Sequence, residues 1–435
     1  MVACERRSFG VVGDRGRGEV RVRVITIVVV DVRESDAGVS PSGSQERLRA
    51  VEGLRAFAAL CVFLTHAATV RYPPSIFVDP NEGRVGAWFA GLTIGVQIFF
   101  AISGFVLLRP FITAAVGRSH TPGIGSYLVR RMFRIYPAYW CALFGTVFVI
   151  RGTTALHGGW PWFANLALVQ GYSNTARFRP QFVGMIQAWT LVVEVTFYVF
   201  LAVYIAVVAV VARRGDPLRT HAFGIGGVAA LALSYQFWVH LGSPPLWANV
   251  LTPHLPFFLV GMVLAYFDVR RAHLGVVPKF FMVLARRASW CAGVALVAYA
   301  VMTELLVRNR DHWLLTLALQ LIITSMLMAC TVLRTSEPNW IQQALGSRVA
   351  VLLGALSYGI YLWHYAIIDW VVDHWVTNTG NFAVVAVIAV SLPVTLGFAA
   401  LSWRVIEQPA IRLARVISRR TLTNDRIPRP RFGGK

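Results

Sequence analysis

Residues 185–212 read MIQAWTLVVEVTFYVFLAVYIAVVAVVA, and this stretch decides the class of the protein. It contains Glu194 as its single charged residue and is followed directly by Arg213 and Arg214. A helix needs about 20 mainly apolar residues to cross a hydrocarbon core of roughly 30 Å. The stretch therefore predicts a transmembrane helix with one carboxyl group inside it.

Apolar blocks of similar length recur along the chain of 435 residues. Hydrophobic residues make up 56% and charged residues 14%, against about 25% charged in soluble domains, which excludes a water-soluble globule. Only helices and closed barrels satisfy the backbone in lipid, and the strict alternation of barrel strands is absent. We therefore expect an all-α integral membrane protein with about ten transmembrane helices. The predicted helices cover residues 50–70, 86–108, 135–151, 185–212, 221–240, 246–267, 288–307, 312–334, 351–376 and 382–403.

The net charge is +21, from 41 Lys and Arg against 20 Asp and Glu. The even-numbered loops between the predicted helices hold 15 of the Lys and Arg residues, whereas the odd-numbered loops hold 7. Because loops rich in Lys and Arg stay on the cytoplasmic side, both termini are predicted to be cytoplasmic. We expect a multi-pass protein of the plasma membrane, with the lipid bilayer and not nucleic acid as its partner.

The first predicted helix carries two ionisable residues on one face. Arg55 and His66 are 11 residues apart, which corresponds to about three turns and about 16 Å of helix. In the predicted orientation, Arg55 lies near the cytoplasmic surface and His66 lies deep in the membrane. Ionisable groups at such positions are functional candidates. A snorkelling arginine and a histidine bonded to a neighbouring helix would explain the same pair.

Glu194 lies well inside the fourth predicted helix. A carboxyl group there is either protonated or paired. We predict that Glu194 pairs with His66 and orients it, as a third group orients the base in nucleophilic triads. A structural hydrogen bond between helices is the alternative.

Three further features lie in or beside the apolar blocks. Arg131 and Arg134 share a helical face through their i,i+3 spacing, which suits phosphate groups, although the positive-inside rule would also place arginines here. Tyr361 and His364 share a face of the ninth predicted helix and indicate a structural polar contact. Pro409 is expected to end the last helix.

Together and in order, these motifs resemble the membrane acyltransferase 3 family, whose members O-acylate saccharides, glycolipids and macrolides. The resemblance extends from residue 47 to about residue 412. It rests on the Arg-x10-His pair of Arg55 and His66, FFAISGF at 99–105, RMFRIYP at 131–137, WTLVVEVTFY at 189–198, and the C-terminal Ser357, Tyr358, Tyr361, Leu362, His364, Glu407 and Pro409.

The resemblance implies an enzyme that transfers an acyl group from acyl-CoA to a hydroxyl of a saccharide, glycolipid or glycosylated small molecule. Acyl-CoA would be a co-substrate, with no permanently bound cofactor and no metal. The phosphates of CoA would be held by Arg55, Arg131 and Arg134. Catalysis would use His66, as a base or as an acyl relay, together with Glu194.

The remaining motif residues, Ser103, Tyr361, His364 and Glu407, would bind substrate or serve as structural polar groups. A separate periplasmic or extracellular acyltransferase would be a further partner if the transfer is completed outside the membrane domain. The chain would then comprise a disordered or over-extended arm at 1–46, the acyltransferase 3 membrane domain at 47–412, and a basic cytoplasmic tail at 413–435.

A proton-coupled membrane transporter or exporter is the alternative from another class. Histidine and glutamate within membrane helices also relay protons in such proteins. The sequence shows no clear internal repeat of the kind that many transporters contain. The residues themselves leave both functions open.

Overall fold

A computed structural model describes residues 41–68, 83–119, 122–150, 159–172, 185–213, 215–242, 248–276, 278–308, 312–333, 338–375 and 383–424. The regular elements in these ranges are helices: α1 (Pro41–Ala68), α2 (Gly83–Gly91), α3 (Ile94–Ala115), α4 (Ile124–Phe144), α5 (Gly159–Leu166), α6 (Trp189–Ala212), α7 (Pro217–Leu241), α8 (Ala248–Leu251), α9 (Leu255–Leu274), α10 (Lys279–Arg286), α11 (Ala288–Val307), α12 (Trp313–Val332), α13 (Trp340–Leu345), α14 (Arg348–Trp375), α15 (Ala383–Ser402) and α16 (Gln408–Asn424). Two π-helical segments (Gly145–Ile150 and Trp403–Glu407) and two 3₁₀ turns (Gln170–Tyr172 and Ile186–Ala188) complete them.

The described residues contain eight helical stretches that are long and apolar enough to cross a membrane. They are Val85–Ala115, Ile124–Ile150, Ile186–Ala212, Pro217–Val239, Ala288–Val307, Trp313–Val332, Arg348–Trp375 and Ala383–Ser418. The part of the chain that the structure describes is therefore all-helical, and the protein is a multi-pass membrane protein, as predicted.

Helices α1 and α9 lie at the two other predicted positions. Neither is among the eight stretches. Helix α1 has five charged residues up to Arg55, and α9 has Asp268, Arg270 and Arg271 near its end. The total of about ten membrane helices and the cytoplasmic location of the termini remain predictions. Most of the predicted arm, residues 1–40, and the end of the predicted tail, 425–435, lie outside the described residues.

Two predicted helix boundaries are wrong. The third predicted helix, which corresponds to α4, begins at Ile124 and not near residue 135, so that Arg131 and Arg134 lie inside it. Pro409 does not end the last helix, because the chain passes from α15 through the π-helical segment Trp403–Glu407 into α16 and stays helical to Asn424. Local π-helical adjustments are one way in which membrane helices accommodate proline.

Helix α1 lies in the interior of the bundle, where it packs against α3 and α14. Leu54, Ala58 and Phe63 are at most 1% exposed. This packing holds the face that carries Arg55 and His66 inside the protein.

Helices α3 and α9 approach each other closely through two glycines. A Cβ atom on Gly104 would collide with the carbonyl oxygen of Phe258, and one on Gly261 would collide with that of Ala101. Small residues at such crossings allow membrane helices to pack backbone against backbone. The contact fixes the position of Ser103, the neighbour of Gly104.

The C-terminal helix α16 folds back onto α4. The hydroxyl groups of Ser126 and Ser418 each donate to the other residue's carbonyl oxygen, at 3.4 Å. The π-helical segment that precedes α16 is thereby held beside α4, and this contact brings Glu407 to the site described next.

Candidate active site

Helices α1, α3, α4, α6 and α14 surround a cavity of about 100 Å³. Six of the nine predicted site residues line it: Arg55, Ser103, Arg131, Arg134, Glu194 and Tyr361. The wall also includes Phe99, Thr190, Tyr198, Ser357 and Tyr358. The structure therefore gathers most of the predicted site at one place, whereas His66, His364 and Glu407 lie outside this wall.

Three arginines give the cavity its charge. Arg55 comes from α1, while Arg131 and Arg134 lie one turn apart on α4, as their spacing predicts. The buried Nε atom of Arg131 has no hydrogen-bond partner among the described residues. The buried hydroxyl of Ser357, on α14, is in the same situation. Unpartnered donors beside guanidinium groups are suited to an anion.

Arg134 is held in place by groups from two other helical segments. Its guanidinium lies 3.8 Å from Glu407 Oε2, 5.8 Å from the ring centroid of Tyr358 and 5.5 Å from that of Trp403. Glu407 is 2% exposed and comes from the π-helical segment. Its contact is with Arg134 and not with the cavity, so Glu407 positions a cavity residue.

Glu194 accepts two hydrogen bonds through one oxygen. Tyr198 donates to Oε1 at 2.6 Å and Ser103 donates to the same atom at 3.3 Å. The predicted orienting bond from Glu194 to His66 is therefore wrong, because both polar partners of this carboxyl group come from α6 and α3. Tyr198 was missed as a site residue, although its i,i+4 spacing from Glu194 on one helix could have indicated it.

Tyr361 joins the start of α6 to α14. Its hydroxyl donates to the Gln187 carbonyl oxygen at 2.9 Å and is also hydrogen-bonded to Thr190. The Gln187 side chain donates back to the Leu362 carbonyl oxygen at 2.8 Å. These bonds hold the Trp-Thr-Leu motif against α14. Tyr361 therefore lines the cavity and also connects α14 to the start of α6.

His364 is a side-chain partner of His66. His66 Nδ1 lies 2.8 Å from His364 Nε2, and the two ring centroids are 4.9 Å apart. His364 is 1% exposed, whereas His66 is partly exposed. The Tyr361 ring lies 5.7 Å from the His364 ring, so the predicted contact between these two residues is present and connects the histidine pair to the cavity wall.

No cluster of three or more His, Cys, Asp or Glu side chains that could hold a metal ion occurs within the part of the chain that the structure describes. The polar groups of the site are arginine, tyrosine, serine, threonine and one carboxyl group. This set can bind an anionic ligand and can hydrogen-bond a hydroxyl.

The fold and the site together define a helical membrane protein that combines an arginine-lined cavity with a buried histidine pair. The sequence model of one family, described as "Acyltransferase domain", matches residues 48–403. The chain therefore belongs to this acyltransferase family, as its motifs predicted. No solved structure matches the chain.

Several curated proteins are similar over most of the chain. "Acyltransferase MdmB" of Streptomyces mycarofaciens is 26% identical over 387 residues, which cover 84% of this chain and 92% of the relative. "Putative O-acetyltransferase SACOL0978" of Staphylococcus aureus is 22% identical over 368 residues, covering 82% and 56%. "Putative peptidoglycan O-acetyltransferase YrhL" of Bacillus subtilis is 25% identical over 378 residues, covering 82% and 54%. The chain thus spans about half the length of the S. aureus and B. subtilis relatives.

Proposed function

We propose that the protein is an integral-membrane O-acyltransferase that moves an acyl group from acyl-CoA to a hydroxyl of a saccharide, glycolipid or glycosylated small molecule. The family, together with relatives named as acyltransferase and O-acetyltransferase, supports the reaction class. The observation that carries the proposal is the convergence of Arg55, Arg131, Arg134 and Glu194 from three helices on one cavity.

The arginines would hold the phosphates of CoA. Guanidinium groups bind phosphate oxygens through paired, charge-assisted hydrogen bonds. The unpartnered Nε of Arg131 supports this assignment, because an anion would satisfy it. A cavity of about 100 Å³ is smaller than an ordinary ligand pocket of roughly 300–1,000 Å³. We therefore place only part of CoA in it, with the rest extending out of the cavity mouth.

His66 would be the general base. Its imidazole takes the proton from the acceptor hydroxyl, whose oxygen forms a bond to the thioester carbon. The carbon–sulfur bond then breaks, and the proton passes from His66 to the leaving thiolate of CoA. An imidazole can take up a proton and release it again, so one side chain can serve both halves of this exchange. Transient acylation of His66 itself is the competing route.

Glu194 would orient the acceptor. Its Oε1 atom is used by Ser103 and Tyr198, whereas Oε2 accepts no hydrogen bond from the residues that the structure describes. Since Glu194 lines the cavity, Oε2 can accept a hydrogen bond from a hydroxyl. This role replaces the predicted contact with His66.

The test compares ester-linked acyl groups on cell-envelope saccharides and glycolipids, released by mild alkali and identified by mass spectrometry. A deletion strain is complemented with the wild type, with His66→Ala, or with His374→Ala as the matched control. His374 is exposed at the end of α14 and donates to the Trp370 carbonyl oxygen. We expect the acyl groups to be restored by the wild type and the control, but not by His66→Ala.

Binding of CoA to the purified protein in lipid nanodiscs gives an independent measurement that needs no acceptor. Calorimetry should detect one CoA per chain, and Arg131→Gln should weaken it. Full acyl content with His66→Ala would overturn the catalytic assignment. Proton-driven transport without release of CoA would instead favour the transporter.

A further inference from the structure

The backbone contacts of His364 show which of its ring nitrogens carries hydrogen. His364 Nδ1 lies 2.8 Å from the Tyr361 carbonyl oxygen and 3.1 Å from that of Ile360. Carbonyl oxygens only accept hydrogen bonds, so the Nδ1 atom of His364 is the donor in both contacts. The backbone of α14 therefore determines which ring nitrogen of His364 carries hydrogen.

This assignment fixes the hydrogen on the second ring as well. A neutral imidazole has one N–H group, so His364 Nε2 presents a lone pair. The 2.8 Å contact to His66 Nδ1 needs one donor and one acceptor. His66 Nδ1 must then carry the hydrogen, which leaves the lone pair of His66 on Nε2.

The rings have little freedom to change this arrangement. His364 is 1% exposed, and its ring centroid lies 6.4 Å from that of Phe63 and 5.7 Å from that of Tyr361. The Tyr365 ring meets His66 edge-on at 5.2 Å. Both imidazoles are thus held by packing from α1 and α14.

We propose that His364 is a positioning residue that fixes His66 as its Nδ1–H tautomer and so keeps Nε2 unprotonated as the basic atom. The proposal rests on the function proposed above, in which His66 accepts a proton. When Nε2 takes that proton, Nδ1 continues to donate to His364, so the contact persists through proton transfer. His364 plays the part that a carboxylate plays beside many catalytic histidines, but without a negative charge.

The test uses two substitutions that differ in one property. His364→Gln can place an amide oxygen where Nε2 lies and so retains an acceptor, whereas His364→Leu removes it. We expect His364→Leu to lower the acyl content restored in the deletion strain at least 100-fold, within the range of general-base losses. His364→Gln should retain activity within about tenfold of wild type, as rescue by a surviving acceptor requires.

His221→Leu is the matched control. His221 is another buried histidine within a membrane helix, α7, where its partner is the Tyr204 hydroxyl at 3.3 Å. It takes no part in the site, so we expect wild-type acyl content from this variant. Equal losses in His364→Gln and His364→Leu would overturn the proposal.

A spectroscopic measurement tests the tautomer without any turnover. Solid-state ¹⁵N NMR of histidine-labelled protein in lipid distinguishes protonated from unprotonated ring nitrogens, and a His66→Gln sample identifies the His66 signals. We expect a protonated Nδ1 and an unprotonated Nε2 in the wild type and in His364→Gln, and a mixture of tautomers in His364→Leu. An Nε2–H tautomer in the wild type, or an unchanged spectrum in His364→Leu, would contradict the proposal even if the protein transfers acyl groups. Conversely, the expected spectra without acyl transfer would refute the proposed function alone.

Discussion

Glu407 and Arg134 form a buried ion pair at 3.8 Å although 273 residues separate them in the sequence. The Glu407 side chain is 0% exposed and that of Arg134 is 19% exposed. The arginine also lines the cavity, so the pair connects the C-terminal π-helical segment to the candidate binding site for the acyl donor.

Removing the carboxylate should destabilise the protein through the charge that remains. Glu407→Leu leaves Arg134 largely buried without this partner, and the loss of one member of such a pair costs about 3–5 kcal/mol. We expect a clearly lower midpoint of thermal unfolding in detergent, followed by the intrinsic fluorescence of the 14 tryptophans.

The double variant Arg134→Met/Glu407→Leu separates stability from binding. Replacing both charges with apolar groups of similar size is often neutral for stability. The unfolding midpoint should therefore return towards that of the wild type. The affinity for CoA, measured by calorimetry, should be lower than in the wild type, because Arg134 is missing. Recovery of CoA binding along with stability would show that Arg134 does not contact the donor.

Arg131→Gln should weaken CoA binding with little effect on stability. Hydrogen bonds that involve a charged group contribute about 1.5–3 kcal/mol, which corresponds to a roughly 10- to 100-fold higher Kd for CoA. Arg131→Lys should recover only part of the affinity, because an ammonium group lacks the planar pair of donors. Arg219→Gln is the control, since the side chain of Arg219 is 83% exposed. A Kd that does not differ between the Arg131 and Arg219 variants would contradict the phosphate assignment.

The sequence predicts the helices well because membrane insertion depends on local composition. A run such as 185–212 must be helical in lipid whatever it packs against. The ends of the helices were less predictable where a helix carries charged residues inside the bundle. Because α4 contains Arg131 and Arg134, its first part lies outside the predicted apolar block. Hydropathy cannot distinguish an arginine that faces a protein cavity from one in a loop.

The candidate site was predictable in its members but not in its pairs. Arg55, Arg131, Arg134 and Glu194 meet at one cavity, as their motifs indicated. His66 is hydrogen-bonded to His364 and not to Glu194, because the choice between these two depends on which helix packs beside α1. The contact of Glu407 with Arg134 likewise depends on the return of α16 to α4. Tyr198 could have been found, since its position relative to Glu194 is set by one helix alone.

Gly104→Ala should disrupt the contact between α3 and α9. The added Cβ meets the carbonyl oxygen of Phe258 on the facing helix, and a backbone atom cannot move aside as a flexible side chain can. We expect a lower yield of monodisperse protein in size-exclusion chromatography and a lower midpoint of thermal unfolding. Gly293→Ala is the control, because its Cβ would have no atom within 4 Å. Similar behaviour of the two variants would contradict the close approach of these helices.

Tyr198→Phe should reduce acyl transfer more than Ser103→Ala does, because the two donors to Glu194 Oε1 differ in geometry. The tyrosine bond is 2.6 Å long and the serine bond is 3.3 Å long, which is near the limit for a hydroxyl donor. Loss of the shorter bond should leave the carboxyl group less well oriented and raise the activation free energy by about 1.5–3 kcal/mol. This corresponds to a roughly 10- to 100-fold lower acyl content per unit of protein. The serine change should lower the acyl content only a few-fold.

Tyr266→Phe, on α9 and outside the cavity wall, serves as the control and should behave as wild type. The Kd for CoA should stay within about twofold in all three variants, since Glu194 is assigned to the acceptor. A weakened Kd for CoA in Tyr198→Phe would place Glu194 on the side of the donor instead.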